Sequence, residues 1–402
     1  MNTDSTSSGD FEDNLEEVPD WPFDSCTLEL SDGRSLELAD SISRLPTHKE
    51  PAVYMCRARL GMDDVVVKYS WSDARMHEAQ VVETAASFAR ECGDVWVLDH
   101  LPNIVHYEER KSSEGARTEP AILHLLVQEE LYPITELTTA AELGEAFSGF
   151  FKCYRWLVER ARIMHRDISL SNLMYRTLDG KVHGVLDGFT LAVFMDGQSS
   201  SFPPQNAPPF RAIDFFQSVP PAGHLYRYDL ESMFYALLLV SSSYQDGKRI
   251  PPSTKHLEQR DKLDPDTLFN EKWWFLTCAD PGWRPTAQFS GLRNLIFFLA
   301  CLFNNGIYAR TKFRDQVFDD TGLRAVSYND GFDLTTLGGH VTFDSFANVL
   351  NARLPPYSPK RTSAMLSSPA SSLSPATTMT QSNLLPTVDS SKTGTSSGSE
   401  IS

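Results

Sequence analysis

No two of the six cysteines stand at a CxxC or metal-ligand spacing: Cys26, Cys56, Cys92, Cys153, Cys278 and Cys301 are scattered along 402 residues. That pattern excludes a disulfide framework or a zinc ribbon and reads as reduced thiols, as expected of a cytoplasmic or nuclear protein. Long apolar runs are missing too. The longest, Leu295 to Phe303, falls far short of the ~20 residues a membrane-crossing helix needs, and the first residues show no basic-then-apolar leader. Positive charge is scarce, with 36 Lys and Arg against 53 Asp and Glu and a formal net charge of -17. Binding to nucleic acid or to an acidic membrane needs clustered basic groups, so no nucleic acid and no membrane is expected among the partners.

What is present is enough apolar residue, 41% of the chain, to bury a large two-lobed core between polar ends. Residues 1–20 carry Asp4, Asp10, Glu12, Asp13, Glu16, Glu17 and Asp20 among Ser and Thr, a disordered acidic lead by composition. From Cys26 the pattern turns to period two: Thr27-Leu28-Glu29-Leu30, a turn at Asp32-Gly33, then Ser35-Leu36-Glu37-Leu38. A second strand pair follows, Ala52 to Ala58 and Val65-Val66-Val67-Lys68, and then a helical segment from Asp73 to Ala86 that carries Glu78. Ala121 to Gln128 reads as a buried strand and Glu129-Glu130-Leu131-Tyr132-Pro133 as a hinge. Glu142 to Arg160 has apolar residues at spacings of three and four, an amphipathic helix whose aromatic stripe is core. Residues 355–402, rich in Ser, Thr and Pro, read as a disordered tail, with Ser358, Ser368 and Ser374 each before proline.

The chemistry is concentrated in His165-Arg166-Asp167-Ile168-Ser169-Leu170-Ser171-Asn172, between that helix and a short Leu173-Met174-Tyr175 strand. A carboxylate that orients a hydroxyl nucleophile, followed five positions later by an amide oxygen for a metal ion, is what phosphoryl transfer from ATP requires. The stretch resembles the protein-kinase catalytic loop. Upstream, Lys68 at a strand end and Glu78 on the next helix fit a phosphate-binding lysine and its carboxylate partner. Downstream, Val182 to Leu186 delivers Asp187 back towards Asp167 and Asn172, and Leu191 to Pro209 would form an activation segment. Asp229, opening the apolar helix Asp229 to Val240, is expected to brace the catalytic-loop backbone, and Arg284 to pair with Asp214.

Together with Val67-Lys68-Tyr69-Ser70-Trp71, Gly184-Val185-Leu186, Pro209-Phe210 and Tyr226-Arg227-Tyr228-Asp229-Leu230-Glu231-Ser232, these motifs resemble the fungal-type protein kinase family over roughly Cys26 to Asn351. The resemblance implies an α+β, bilobal protein-kinase-like fold with a β-rich N-lobe (21–128) and a mainly helical C-lobe (129–354). It also implies ATP and Mg²⁺ as cofactors and a Ser or Thr hydroxyl of a protein as acceptor. By the same resemblance Asp167, Lys68, Glu78 and Arg166 are catalytic, Lys68, Asn172 and Asp187 bind cofactor, and Asn172 and Asp187 hold the metal.

Four departures set a second reading beside the first. Leu45-Pro46-Thr47-His48-Lys49-Glu50-Pro51 stands without a glycine where the family has its phosphate-covering turn, which weakens backbone approach to phosphate. Aligning Phe189 and Leu191-Ala192 places Gly188 at the metal position and Asp187 one residue early, so strand alternation points Asp187 away from the metal unless a bulge restores it. Thr190 replaces a second Asp, and Pro204-Gln205-Asn206-Ala207 replaces a threonine-bearing stretch. The sequence therefore supports a Ser/Thr protein kinase or, as the alternative, a catalytically impaired pseudokinase that binds or scaffolds a protein partner. A small-molecule kinase of the aminoglycoside type ranks behind both.

Overall fold

The computed structural model describes residues 27–44, 53–72, 77–111, 122–195, 209–216, 223–251, 264–278, 282–321 and 331–359. The acidic lead, the glycine-free stretch, residues 196–208 of the activation segment and the tail from residue 360 lie outside them.

The N-lobe is a six-stranded sheet of β1 (Thr27–Glu29), β2 (Ser35–Arg44), β3 (Val53–Leu60), β4 (Asp63–Ser72), β5 (Ile104–Lys111) and β6 (Ile122–Glu129), in the order β1-β2-β3-β4-β6-β5. The first hairpin closes as its pattern predicts: Leu28 and Leu36 pair across it and both are buried, while Thr27 and Ser35 are exposed. Alternation along β4 decides everything that follows in the site. Val65, Val67 and Tyr69 face the sheet's own apolar cluster with Leu123, Leu125 and Val127 of β6. Lys68 therefore faces the other way, on the side of Leu126, its partner across the ladder. On that side Leu126 packs on Ala79 of helix α1 (His77–Cys92).

A short strand β7 (Tyr132–Pro133) leads into the C-lobe, whose first helix α2 (Ala140–Glu159) is capped by Thr139, its side chain accepting from the Glu142 N–H. Such a cap contributes about 1 kcal/mol. Strands β8 (Ile163–Met164), β9 (Leu173–Leu178), β10 (Lys181–Leu186) and β11 (Val193–Phe194) follow, with β9 and β10 joined through Asp179 and Gly180, both at positive φ. This is the turn geometry that matches strand twist. Helix α2 lies so close to β10 that a Cβ on Gly184 would sit 2.1 Å from the Ala146 carbonyl oxygen. Only glycine permits that approach.

Helix α3 (Tyr226–Ser243) runs through the lobe centre with Leu230, Met233, Phe234, Leu237 and Leu238 buried. Around it pack α4 (Pro265–Thr277), α5 (Arg293–Thr321) and α6 (Phe343–Arg353). The stretch Ala287–Asp315 is long and apolar enough to cross a membrane by composition, yet its Leu292, Leu295, Ile296, Leu299 and Phe303 belong to the C-lobe core. The architecture is the bilobal α+β kinase-like fold that the sequence motifs imply. One boundary moves: residues 355–359, read as the start of a disordered tail, are ordered against the lobe. Leu354 and Pro355 pack over Gly144, and the Val182 N–H donates to the Tyr357 hydroxyl at 2.9 Å. Their apolar side chains bury surface that the Ser-rich remainder lacks.

Candidate active site

Sequence positions far apart converge where β4, α1, β6 and the end of β10 meet. Lys68 Nζ lies 3.1 Å from Glu78 Oε1 and 2.9 and 3.0 Å from the two carboxylate oxygens of Asp187. All three side chains are buried. Burial alone would push the lysine towards its neutral form, but the charge of Asp187 and then of Glu78 outweighs it and raises the Lys68 pKa above the ordinary lysine value. The other Glu78 oxygen, Oε2, accepts from the Thr190 hydroxyl at 3.1 Å. Thr190, one of the departures from the family motif, thus holds the carboxylate that holds the lysine.

Strand alternation would turn Asp187 away from the metal position; in the structure its carboxylate lies against Lys68. Strand alternation does not govern it, because β10 ends at Leu186 and pairs with β9 in unbroken register to that point. Beyond it, Gly188 at φ 74° turns the chain left-handed and takes up the extra residue. No bulge is involved. The Asp187 backbone is held on both sides of its plane of approach: its N–H donates to the Asn172 carbonyl at 2.9 Å, and its carbonyl accepts from His165 Nε2 at 2.9 Å. A carbonyl only accepts, so Nε2 carries the hydrogen and Nδ1 is left to accept from the Asp167 N–H, 3.3 Å away. His165 also packs on Phe189, ring centroids 4.7 Å apart.

The loop from His165 to Asn172 is anchored from below. Arg166 sits at φ 68° and its N–H donates to Asp229 Oδ2 at 3.0 Å. Asp229 in turn accepts from the Tyr154 hydroxyl at 2.7 Å and pairs with His224 Nε2 at 2.9 Å. Burial works against its ionised form, but His224 and the hydrogen bonds from His224 and Tyr154 prevail and hold its pKa below the usual carboxylate range. Asp229 therefore does brace the loop backbone. Asp214 is paired with Arg227 and Arg310, and the Arg284 guanidinium donates to the Trp283 carbonyl.

Within the loop, Asn172 Nδ2 donates to the Asp167 carbonyl at 2.7 Å and to Asp167 Oδ2 at 3.0 Å. Burial pushes the Asp167 carboxyl up, with His165 and Asn172 pulling the other way. Its donor end thus committed, Asn172 presents its amide oxygen to the Asp187–Gly188 backbone, where a Cβ on Gly188 would fall 2.2 Å from Oδ1. An amide oxygen and a carboxylate from adjoining segments are the hard oxygen ligands that Mg²⁺ accepts, the rest of its octahedron coming from phosphate and water. The residues present fit the ion. Among the described residues no group of three or more His, Cys, Asp or Glu side chains forms a protein-only metal cage.

The structure thus joins Lys68, Glu78 and Asp187 directly, joins Asp167 to Asn172, and links the two groups through the Asn172–Asp187 backbone bond and His165. Two participants escape a reading of the sequence, Thr190 and Gln128. Gln128 is buried on β6 with Nε2 at 3.3 and 3.2 Å from the Asp187 oxygens. A polar residue after the apolar Leu125-Leu126-Val127 run was the available signal.

Residues 100–241 match the family model described as fungal protein kinase. Over that span, residues 100–241 of 402, the chain is similar to this family. The matched stretch holds the loop from His165 to Asn172, Asp187 and Asp229, while Lys68 and Glu78 lie before it. Among solved structures it is similar to vaccinia related kinase 3, at 14% identity over 68% of this chain and 83% of that one with a TM-score of 0.44. It is also similar to the kinase PK-1 of Cydia pomonella granulovirus, at 9% identity over 64% and 86% with a TM-score of 0.40. No curated protein matches it.

Proposed function

We propose that the chain is a Ser/Thr protein kinase that uses ATP and Mg²⁺. The observation that carries this reading is the orientation of Asp187, which lies against Lys68 although the sequence places it one residue early. Lys68, held by Glu78, binds the nucleotide phosphates. Asp187 and the Asn172 amide oxygen hold the metal, which when bound neutralises charge on the β and γ phosphates. Asp167 accepts the proton of the acceptor hydroxyl, and its raised pKa keeps a base that is protonated more readily than an exposed carboxylate. Arg166 contributes through its backbone N–H, which ties the loop to Asp229.

A second reading, a pseudokinase that binds a protein partner, is favoured by a different observation: both Asp187 oxygens are already engaged by Lys68 and Gln128, and no glycine occurs from Leu45 to Pro51. The deciding experiment measures ATP affinity by calorimetry with and without Mg²⁺, together with phosphate transfer to a mixed Ser/Thr peptide library, on wild type and Asp167→Asn. Binding with transfer that Asp167→Asn abolishes supports the kinase. Binding without transfer, or no binding in any condition, overturns the kinase reading and leaves the pseudokinase.

A further inference from the structure

Gln128 is the last cleft-side residue of β6. It lies opposite Val66 as Leu126 lies opposite Lys68, so the glutamine and the lysine share one face of the sheet. Its orientation is fixed by chemistry, since an ionised carboxylate only accepts hydrogen bonds and the NH₂ end must face Asp187. The opposite end of the amide is a cost. Oε1 is buried and has no hydrogen-bond partner, a penalty that an apolar side chain of the same size would avoid.

We propose that Gln128 is a positioning residue for Asp187, retained at that cost to hold the carboxylate in place when Lys68 is shared with phosphate. The inference rests on the nucleotide reading above. Lys68 Nζ contacts both Asp187 oxygens. A bound phosphate competes for the same ammonium, and the carboxylate then loses part of its restraint. The Gln128 amide is not drawn away, because it carries no charge and is fixed in the β6 ladder. Asp187 lies beyond the end of β10 at Leu186, where strand register no longer aims it, and the Gln128 donors supply a restraint there. Groups that orient a metal-binding carboxylate in this way change metal affinity by about 10- to 100-fold when removed.

The test is the ratio of ATP dissociation constants without and with Mg²⁺, measured by calorimetry on wild type, Gln128→Met and Gln128→Glu, beside urea unfolding of the ligand-free proteins. Methionine keeps the shape and removes both the N–H donors and the orphaned oxygen. The expected result is a magnesium gain reduced about tenfold in Gln128→Met, with Mg²⁺-free ATP affinity unchanged and ligand-free stability equal to wild type or higher. Gln128→Glu, which sets like charge against Asp187, is expected to lose the gain more deeply. A magnesium gain equal to wild type in either variant overturns the proposal and leaves the kinase reading standing. So does a uniform loss of stability and ATP affinity, which is what a purely structural role produces. A wild type that binds ATP without any magnesium gain overturns this proposal and the metal assignment together.

Discussion

Lys68 and Asp187 are separated by 119 positions in the chain, yet the lysine Nζ lies 2.9 Å from Asp187 Oδ1 and 3.0 Å from Oδ2. With Glu78 on the other side the lysine is a buried cation between two buried anions, so each member depends on the others. Breaking such a group by removing one partner is far more costly than its net worth.

Lys68→Met is accordingly expected to destabilise the fold by about 3–5 kcal/mol, because Glu78 and Asp187 are left facing each other without a counter-charge. Urea unfolding at pH 7 measures it. A loss below about 1 kcal/mol would mean that the two carboxylates find solvent or protons without penalty.

Asp187→Asn keeps the shape of the side chain and the backbone bonds to His165 and Asn172. It is expected to retain ATP affinity in the absence of Mg²⁺, to lose the magnesium-dependent gain, and to lower any phosphate transfer by about 100-fold or more. Paired titrations with ATP alone and with ATP and Mg²⁺ check the first two points. An unchanged magnesium gain would remove Asp187 from the metal site.

Gly188→Ala tests the turn that follows Asp187 and packs on Asn172. A left-handed non-glycine residue costs about 1–2 kcal/mol, and the added methyl would meet Asn172 Oδ1, 2.2 Å from its ideal position. The variant is expected to be less stable than wild type by at least that amount and to show a weakened magnesium gain through displacement of Asn172. Wild-type stability together with a wild-type gain would show that the turn has another solution.

Asp229 gives a pH signature. Its folded pKa is depressed, so in acid the unfolded state binds its proton first. The stabilisation it supplies is therefore present above the unfolded value of about 3.9 and is lost as pH falls through the folded one. Asp229→Asn is expected to be less stable than wild type by about 3 kcal/mol or more at pH 7, with the gap closing below pH ~4. Unfolding free energies at pH 7 and in acid, on both proteins, provide the comparison. A gap that is constant with pH would show that the carboxylate's charge plays no part.

Local pattern was a good guide wherever the relevant physics is local. The Asp32-Gly33 turn, the helices around Phe147 and Phe234, and the spacing from Asp167 to Asn172 all follow from period, turn chemistry and burial within one element, and each lies in the structure at or near its expected place. Bracing of the loop by Asp229 was also legible, since an acidic residue at the start of a nearly all-apolar helix needs donors to remain buried. Boundaries were less so. Helix α3 begins at Tyr226, ahead of the expected Asp229, because burial of Arg227 and Tyr228 extends it by a turn.

By itself the amino-acid order determined that a lysine, a glutamate and an Asp-to-Asn loop would be presented on a strand, a helix and a hairpin of a kinase-like chain, because periodicity and turn residues act over a few positions. Only the tertiary structure decided which way Asp187 faces, that Thr190 secures Glu78, and that Gln128 secures Asp187. Those outcomes depend on where a strand stops and on which buried donors from remote segments are left to meet a carboxylate, and a charge that has been taken out of water is directed by its partners more strongly than by its neighbours in sequence.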